Sequence, residues 1–463
     1  MKALLLCVAA MLLVAAPVHA QPHQHHWLSG LGRLFGLKPR PTPTPPMMIP
    51  RLPLQAAPGI RVYAPLPLEH DLRLLGAFAP MWINDQEVAI LAMRQEHVVL
   101  VAFGGDRFQT PSVLLEMPRA QLLNMALSPD RHTLATVATS GDQLTIALRA
   151  TAGPSPPTPI AVIPGAYRRA SLAWLDRDTL AVGVSGAKAS SEDAGQSPAE
   201  SLPPALYLVS AVPEAREPQT LDLECLDDID PARARWSPDG NLALAPAVNG
   251  ASWYLLDRSG KRCDALRLKQ LVPVDLLQWA PDSRRFMFTA VPARIPAPYA
   301  LGVVEYDIRS AQATILAAPA GAAVYLGKLG EAVLGSRGIT AQSLRTNPGM
   351  LAAAEVGWFT STHAQLKIVP LGVQVQGGAL LAAGMLYSDA AGLLAIRLEA
   401  PGGGGDFPAL LWLSVSLRTG GVLAYGETHG FLAAGWSPDG SKIAVIGGPL
   451  DAPAAAILES PHQ

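Results

Sequence analysis

AAGWSPDGSKIAVIGG, residues 433–448, sets a Trp, a Ser-Pro-Asp-Gly tetrad and a short apolar run side by side. Pro438 fixes φ near the value that the second position of a turn needs, Asp439 hydrogen-bonds nearby backbone, and Gly440 tolerates positive φ. Lys442-Ile443-Ala444-Val445-Ile446 opens with a charge and turns apolar, as a mostly buried strand does. The stretch reads as strand, tight turn, strand, with Trp436 as the large packing residue that ends the first strand.

The unit recurs. Trp236-Ser237-Pro238-Asp239-Gly240 precedes Leu242-Ala243-Leu244, and Trp279-Ala280-Pro281-Asp282-Ser283 precedes Phe286-Met287-Phe288. Leu127-Ser128-Pro129-Asp130 precedes Leu134-Ala135-Thr136-Val137. Looser copies begin at Trp82 (with Asp85), Trp174 (with Asp176), Leu326 and Tyr387. With the Trp slot as marker, the shortest intervals match what a four-stranded unit needs. The two longest contain Ser185–Pro204 and Thr340–Ala353, which read as surface loops. Third and fourth strands are expected at Ser252–Leu256 and Ala265–Leu268, and at Leu410–Leu413 and Val422–Tyr425. The last unit stops one strand short, and Ile60–Ala64 would supply the missing outer strand. The expected fold is therefore all-β: a β-propeller of four-stranded antiparallel blades, eight by this count with seven as the alternative, its ring sealed by an N-terminal strand in the last blade.

These Trp-Ser-Pro-Asp-Gly turns resemble the WD40-like (PD40), TolB-type propeller repeats common in secreted bacterial proteins, over about residues 59 to 458. The resemblance implies the fold. It does not imply one function, since such propellers serve as binding scaffolds, as parts of peptidases and in polysaccharide lyases. TolB proper carries a folded domain before its propeller, where this sequence has only a Pro-rich stretch.

Composition and targeting narrow the class. The chain has 463 residues, 49% hydrophobic and 16% charged, with 43 Pro and 41 Gly, too heavily punctuated for a helical bundle. Residues 1–20 read as a secretory signal: Lys2, the apolar Ala3–Ala16, and Val18-His19-Ala20 before the cut. The other reading is an uncleaved anchor, for which the apolar run is short. Residues 21–58 read as a Pro-rich tether, with an amphipathic helix over 27–37 as one option and a featureless spacer as the other. Residues 59–463 are the expected propeller. Cleavage leaves 34 basic against 37 acidic residues, a formal charge of −3, which gives no case for nucleic acid as partner. It also leaves Cys225 and Cys263, a candidate disulfide in an oxidising compartment worth roughly 4 kcal/mol in the chain-entropy model.

Catalytic constellations are sparse. Gly183-Val184-Ser185-Gly186-Ala187 departs from the Gly-x-Ser-x-Gly elbow at its last position and falls at a loop. His70, His97, His132, His363 and His429 show no metal-ligand spacing. Asp222–Asp230 is acidic without the alternation and Gly of a Ca²⁺ loop, and Gly402–Gly405 is not set between strand and helix. The Trp and Asp residues of the repeat are assigned to inter-blade packing and turn hydrogen bonding. The expectation is an exported, periplasmic or secreted, non-catalytic propeller with no cofactor that binds a protein or cell-envelope partner. The alternative is a glycan-active lyase or hydrolase working in the funnel. No oligomeric state is assigned.

Overall fold

The computed structural model describes residues 55–56, 61–63, 66–75, 78–153, 155–186, 202–212, 217–292, 302–317, 320–325, 331–335, 352–359, 365–375, 381–388, 393–399, 408–414, 422–429, 433–447 and 454–459. At 55–56, 317, 320–322, 331–335, 352–359, 365–375, 381–385, 393–399, 408–414, 422–429 and 447, only the backbone arrangement is described. The signal, all but two residues of the tether, the helix option at 27–37, Leu326, Thr340–Met350, His363 and Gly402–Gly405 lie outside the described residues.

Eight antiparallel sheets are described; seven are built on a sequential four-strand meander and the eighth on a sequential three-strand one. In chain order the units span 72–118, 122–164, 169–220, 235–265, 271–317, 320–375, 381–429 and 433–459. The first unit shows the pattern: Met81–Asn84, Glu87–Arg94, His97–Gly104 and Thr110–Pro118 pair in succession, with Leu72–Leu74 lying beside the far end of Glu87–Arg94 as a second piece of the innermost strand. The fold is a β-propeller type, all-β, with no α-helix among the described residues.

One correction concerns the fourth unit, whose outer strand is Cys263–Ala265 and not Ala265–Leu268. Asp257 Oδ1 accepts hydrogen bonds from the amides of Lys261 (2.9 Å) and Arg262 (3.2 Å), so the hairpin turns tightly and the return strand starts early. Leu266 and Leu268 are thereby freed to enter the core shared with the fifth unit.

The strand order is completed from the N-terminus. Arg61, Val62 and Tyr63 pair antiparallel with Glu459, Leu458 and Ile457, as the outer strand of the eighth sheet. Within the segment read as tether, Gln55 and Ala56 pair with Tyr425 and Ala424, a fifth strand outside the seventh sheet.

Among the described residues, every hydrophobic cluster spans two neighbouring units. One cluster joins Val88, Ile90 and Val99 of the first unit to Ala444, Ile446 and Ile457 of the eighth. Others join the first unit to the second, the second to the third, and the fourth to the fifth. The sheets in these clusters bury their faces against their neighbours, where a fully buried Leu, Ile or Val contributes roughly 1.5–3 kcal/mol.

Candidate functional site

The motif residues come first, because they set the frame. At Ser128, Ser237 and Ser437 the hydroxyl donates to the Asp two residues on (Asp130 at 2.6 Å, Asp239 at 2.6 Å, Asp439 at 2.5 Å) and accepts the amide five residues on. The same carboxylates accept amides of His132, Asn241 and Ser441. The Ser128 hydroxyl holds the Asp130 carboxyl below its ordinary value. At Asp239 and Asp439 burial pushes the carboxyl up, and hydrogen bonds from Ser237 and Asn241, or from Ser437 and Ser441, more than offset it. Asp176 is also held low: burial opposes, and the Asp178 amide and the Arg258 guanidinium outweigh it. In the Ala280 unit the hydroxyl is missing, and Asp282 still accepts the Arg284 amide at 2.9 Å.

Pro129, Pro238, Pro281 and Pro438 occupy the second position of these turns, with Gly240 and Gly440 at positive φ. Arg131 and Ser283 hold the glycine slot with φ 65° and 56°. Both side chains reach the preceding unit: Arg131 donates to the Trp82 carbonyl and Ser283 accepts the Asp239 amide. Asp85 accepts the Asp439 amide at 2.8 Å, which joins the first unit to the last.

The Trp residues staple neighbours by a repeating rule. Trp82, Trp174 and Trp279 donate their indole N–H to the carbonyls of Gly435 (2.7 Å), Ala126 (3.1 Å) and Arg235 (3.2 Å), each the residue before the preceding unit's marker. Trp236 and Trp436 are half-buried. The innermost strands therefore run side by side in one direction. Where these staples join neighbours, first-to-second turns emerge at one end of the sheets, the turn face, and second-to-third and fourth-to-first connections at the other, the loop face.

One unit breaks the repeat on the loop face. The fourth unit's innermost strand is only Arg235–Trp236. The place of its first half is taken by the connection 221–234, which contains short 3₁₀ turns at Leu226–Asp228 and Pro231–Arg233. This connection is tightly held. The Ser185 hydroxyl donates to Asp230 Oδ1 at 2.5 Å, Arg169 Nη1 lies 3.2 Å from Asp230 Oδ2, and the Ser171 hydroxyl donates to the Pro231 carbonyl at 2.7 Å. A Cβ at Gly183 would stand 2.0 Å from the Pro231 carbonyl oxygen, so only glycine admits this approach. Farther out, Cys225 and Cys263 are joined as a disulfide with their Cα atoms 6.1 Å apart, linking the connection to the fourth unit's outer strand.

What this bracing displays is cationic. Arg168, Arg169, Arg233 and Arg235 are all exposed where the third and fourth units meet. Arg169 pairs with Asp230, and the side chains of the other three have no partner among the described residues. The third and fourth units also border a cleft of about 770 Å³ on the turn face, with Leu208, Val209 and Leu242 as floor and Glu217, Asp257 and Arg258 at the rim. Arg258 is committed there to Asp176 at 2.7 Å and to Thr179 at 2.9 Å. Among the described residues no cluster of three or more His, Cys, Asp or Glu could hold a metal ion, and no helix is long and apolar enough to cross a membrane.

Sequence reasoning placed the motif residues in their turns but missed Arg169, Ser185, Asp230, Arg233 and Arg235 as a group. The available signal was the long marker interval from Trp174 to Trp236 together with the acidic run before Asp230.

The sheets define the protein as β-propeller in class. No protein-family model and no curated protein sequence matches the chain. Solved structures with a similar fold include the WD40 domain of Toxoplasma gondii coronin, at TM-score 0.43 and 11% identity over 89% of this chain and 90% of that one. Prolyl oligopeptidase B from Galerina marginata is similar at TM-score 0.47 and 13% identity over 80% of this chain, which spans only 54% of that enzyme. Kuenenia stuttgartiensis hydrazine synthase is similar at TM-score 0.41 and 13% identity, over 74% of this chain and 97% of that one. These likenesses concern fold alone.

Proposed function

We propose that this chain is an exported, non-catalytic propeller of the TolB-like type, its eight units forming a closed ring whose loop face binds a protein or cell-envelope partner. The observation that carries the reading is the placement of connections. The four longest between consecutive strands, 186–204, 221–234, 293–301 and 336–351, all leave from the loop face, whereas first-to-second turns are as short as 85–86 and no longer than 128–132. Third-to-fourth connections, which share the turn face, reach eight residues at 211–218, shorter than any of the four, and a scaffold whose longest connections gather at one end has concentrated its specificity there. Export is supported by the Lys2–Ala20 leader pattern and by a disulfide that needs an oxidising compartment. In this reading the Pro-rich segment holds the ring away from its anchor or complex.

The test is face-resolved photocrosslinking in envelope extract, with the crosslinker at Arg168 or Val248 on the loop face and at Arg177 or Arg284 on the turn face. Discrete adducts from the loop-face positions alone are expected. Adducts from the turn face alone, or equally from both, would overturn the assignment. Incubation with uronate-containing polysaccharides tests the glycan-enzyme alternative, since chain cleavage by the purified protein would replace a binding role with a catalytic one.

A further inference from the structure

We infer that the braced connection of the fourth unit is an anion-recognition site for an acidic peptide segment of the partner, read by Arg168, Arg169, Arg233 and Arg235. This deepens the loop-face reading and rests on it. In a repeat protein a departure from the repeat is costly unless it is supported. Here the support is threefold: the Ser185–Asp230–Arg169 network, the close approach of Gly183 to Pro231, and the Cys225–Cys263 bond. That bracing holds the backbone that carries Arg233 and Arg235, adding rigidity that stability alone does not require of exposed arginines.

The chemistry selects the ligand class. Guanidinium groups present fixed forks that match carboxylates, and Arg168, Arg233 and Arg235 are uncommitted. Exposed apolar side chains accompany them. Val248, half exposed, has its amide bonded to the Asp228 carbonyl at the connection. Val274, equally exposed, lies on the innermost strand of the fifth unit, which Trp279 fastens to Arg235. Cationic forks with single exposed valines on the flanking elements fit a peptide carrying both carboxylates and apolar side chains, and fit a polyuronate or nucleic acid less well. Asp227 and Asp228 are exposed on the earlier part of the connection, separated from Arg233 by the buried Ile229-Asp230-Pro231. They repel carboxylates and so direct an acidic segment toward the arginines. Asp222 and Glu224, exposed farther out on the same connection, and Asp275, exposed beside Val274, reduce the net positive charge without pairing with any of the arginines.

The test measures fluorescence anisotropy of a labelled dodecapeptide of Glu, Leu and Gly against the full mature chain at low salt, with a Gln-for-Glu peptide and polygalacturonate as comparators. The Glu peptide should bind, weaken with added salt, and lose at least about tenfold in affinity with Arg168→Gln/Arg233→Gln/Arg235→Gln, on the scale of one lost charge-assisted hydrogen bond or more. The triple Lys variant should recover part of that loss. An Arg177→Gln/Lys261→Gln/Arg284→Gln variant on the turn face should bind as the parent does. Unchanged melting temperature shows that the triple at Arg168, Arg233 and Arg235 folds, as expected for exposed side chains without partners; the turn-face variant, which removes the Arg177 charge near Asp130, is checked in the same way. Equal binding of the Gln peptide, tighter binding of polygalacturonate, or indifference to the Arg168/Arg233/Arg235 triple would each overturn the inference. A loop-face crosslink pattern would survive those failures, so the two readings fail separately.

Discussion

At Ser128, Ser237 and Ser437 one buried hydroxyl donates to a carboxylate and accepts a strand amide, which ties the turn to the first residue of the next strand. Ser237→Ala would leave the Leu242 amide without its side-chain acceptor and Asp239 without the Ser237 donor, while the donors of Asn241 remain. The expected cost is about 1–3 kcal/mol, read by denaturant unfolding, whereas Thr, which keeps the hydroxyl, should recover part of it. The carboxylates give this a pH dependence. Asp130, Asp176, Asp239 and Asp439 are all held below their ordinary range, so their contribution is present above the unfolded carboxylate pKa of about 4 and is lost as pH falls through the lower folded values. Melting temperature should therefore be flat near neutrality and fall below about pH 4. A fall already complete at pH 6 would contradict the assignment. The Ser-Pro-Asp-Gly string was legible at this scale because turn chemistry is local. The partners that Arg131 and Ser283 find in the preceding unit were not, since nothing in a linear string says what lies across a blade interface.

Each element is held by what it does for the next. The Trp279 indole packs on Phe286 at 5.1 Å between ring centres and donates to the Arg235 carbonyl. Trp279→Phe should keep part of the packing but lose the staple, at a cost of about 1–3 kcal/mol measured by thermal or denaturant unfolding, with a normal melt if the indole merely fills space. The connection 221–234 offers a second test. The Cys225–Cys263 loop spans 38 residues, for which the chain-entropy model gives about 4 kcal/mol. A Cys225→Ser/Cys263→Ser variant should melt well below the oxidised parent and no longer respond to reductant. Insensitivity of the parent to reductant would show that the bond does not form in solution. Element positions were largely readable from Trp spacing and apolar runs. The 3₁₀ replacement of an inner strand was not, because the acidic run before it carries no period, and its four arginines come from two units more than 60 residues apart in sequence.

For the whole molecule the decisive element is the shortest-range reading with the longest-range consequence: three residues at 61–63 pair with three at 457–459. Ile60–Ala64 could be assigned to the last blade because that unit lacked a strand, and Arg61–Tyr63 do pair there. Gln55–Ala56 escaped notice because their Pro-rich surroundings dominate the composition. The Tyr63 hydroxyl donates to Glu459 Oε2 at 2.6 Å, and Lys442 Nζ and Arg61 Nη1 each stand 3.7 Å from the same carboxylate, so the seam is side chain as well as backbone. Removing residues up to 63 strips the outer strand from Ala454–Glu459 and uncovers an edge able to pair with another chain. The truncated protein should melt at a lower temperature and associate through that edge, seen by light scattering as dimers or larger species at concentrations where the parent shows a smaller mass. A synthetic peptide of residues 55–66 should reverse both effects, because it restores the strand without restoring the covalent link. Tyr63→Phe tests the seam more gently: it keeps the ring against Phe108, at 5.6 Å between ring centres, and loses only the bond to Glu459, so a smaller drop in melting temperature without association is expected. If the truncated chain melted and sedimented as the parent does, the strand at 61–63 would be ornamental and the units would be held together by the faces of their sheets alone.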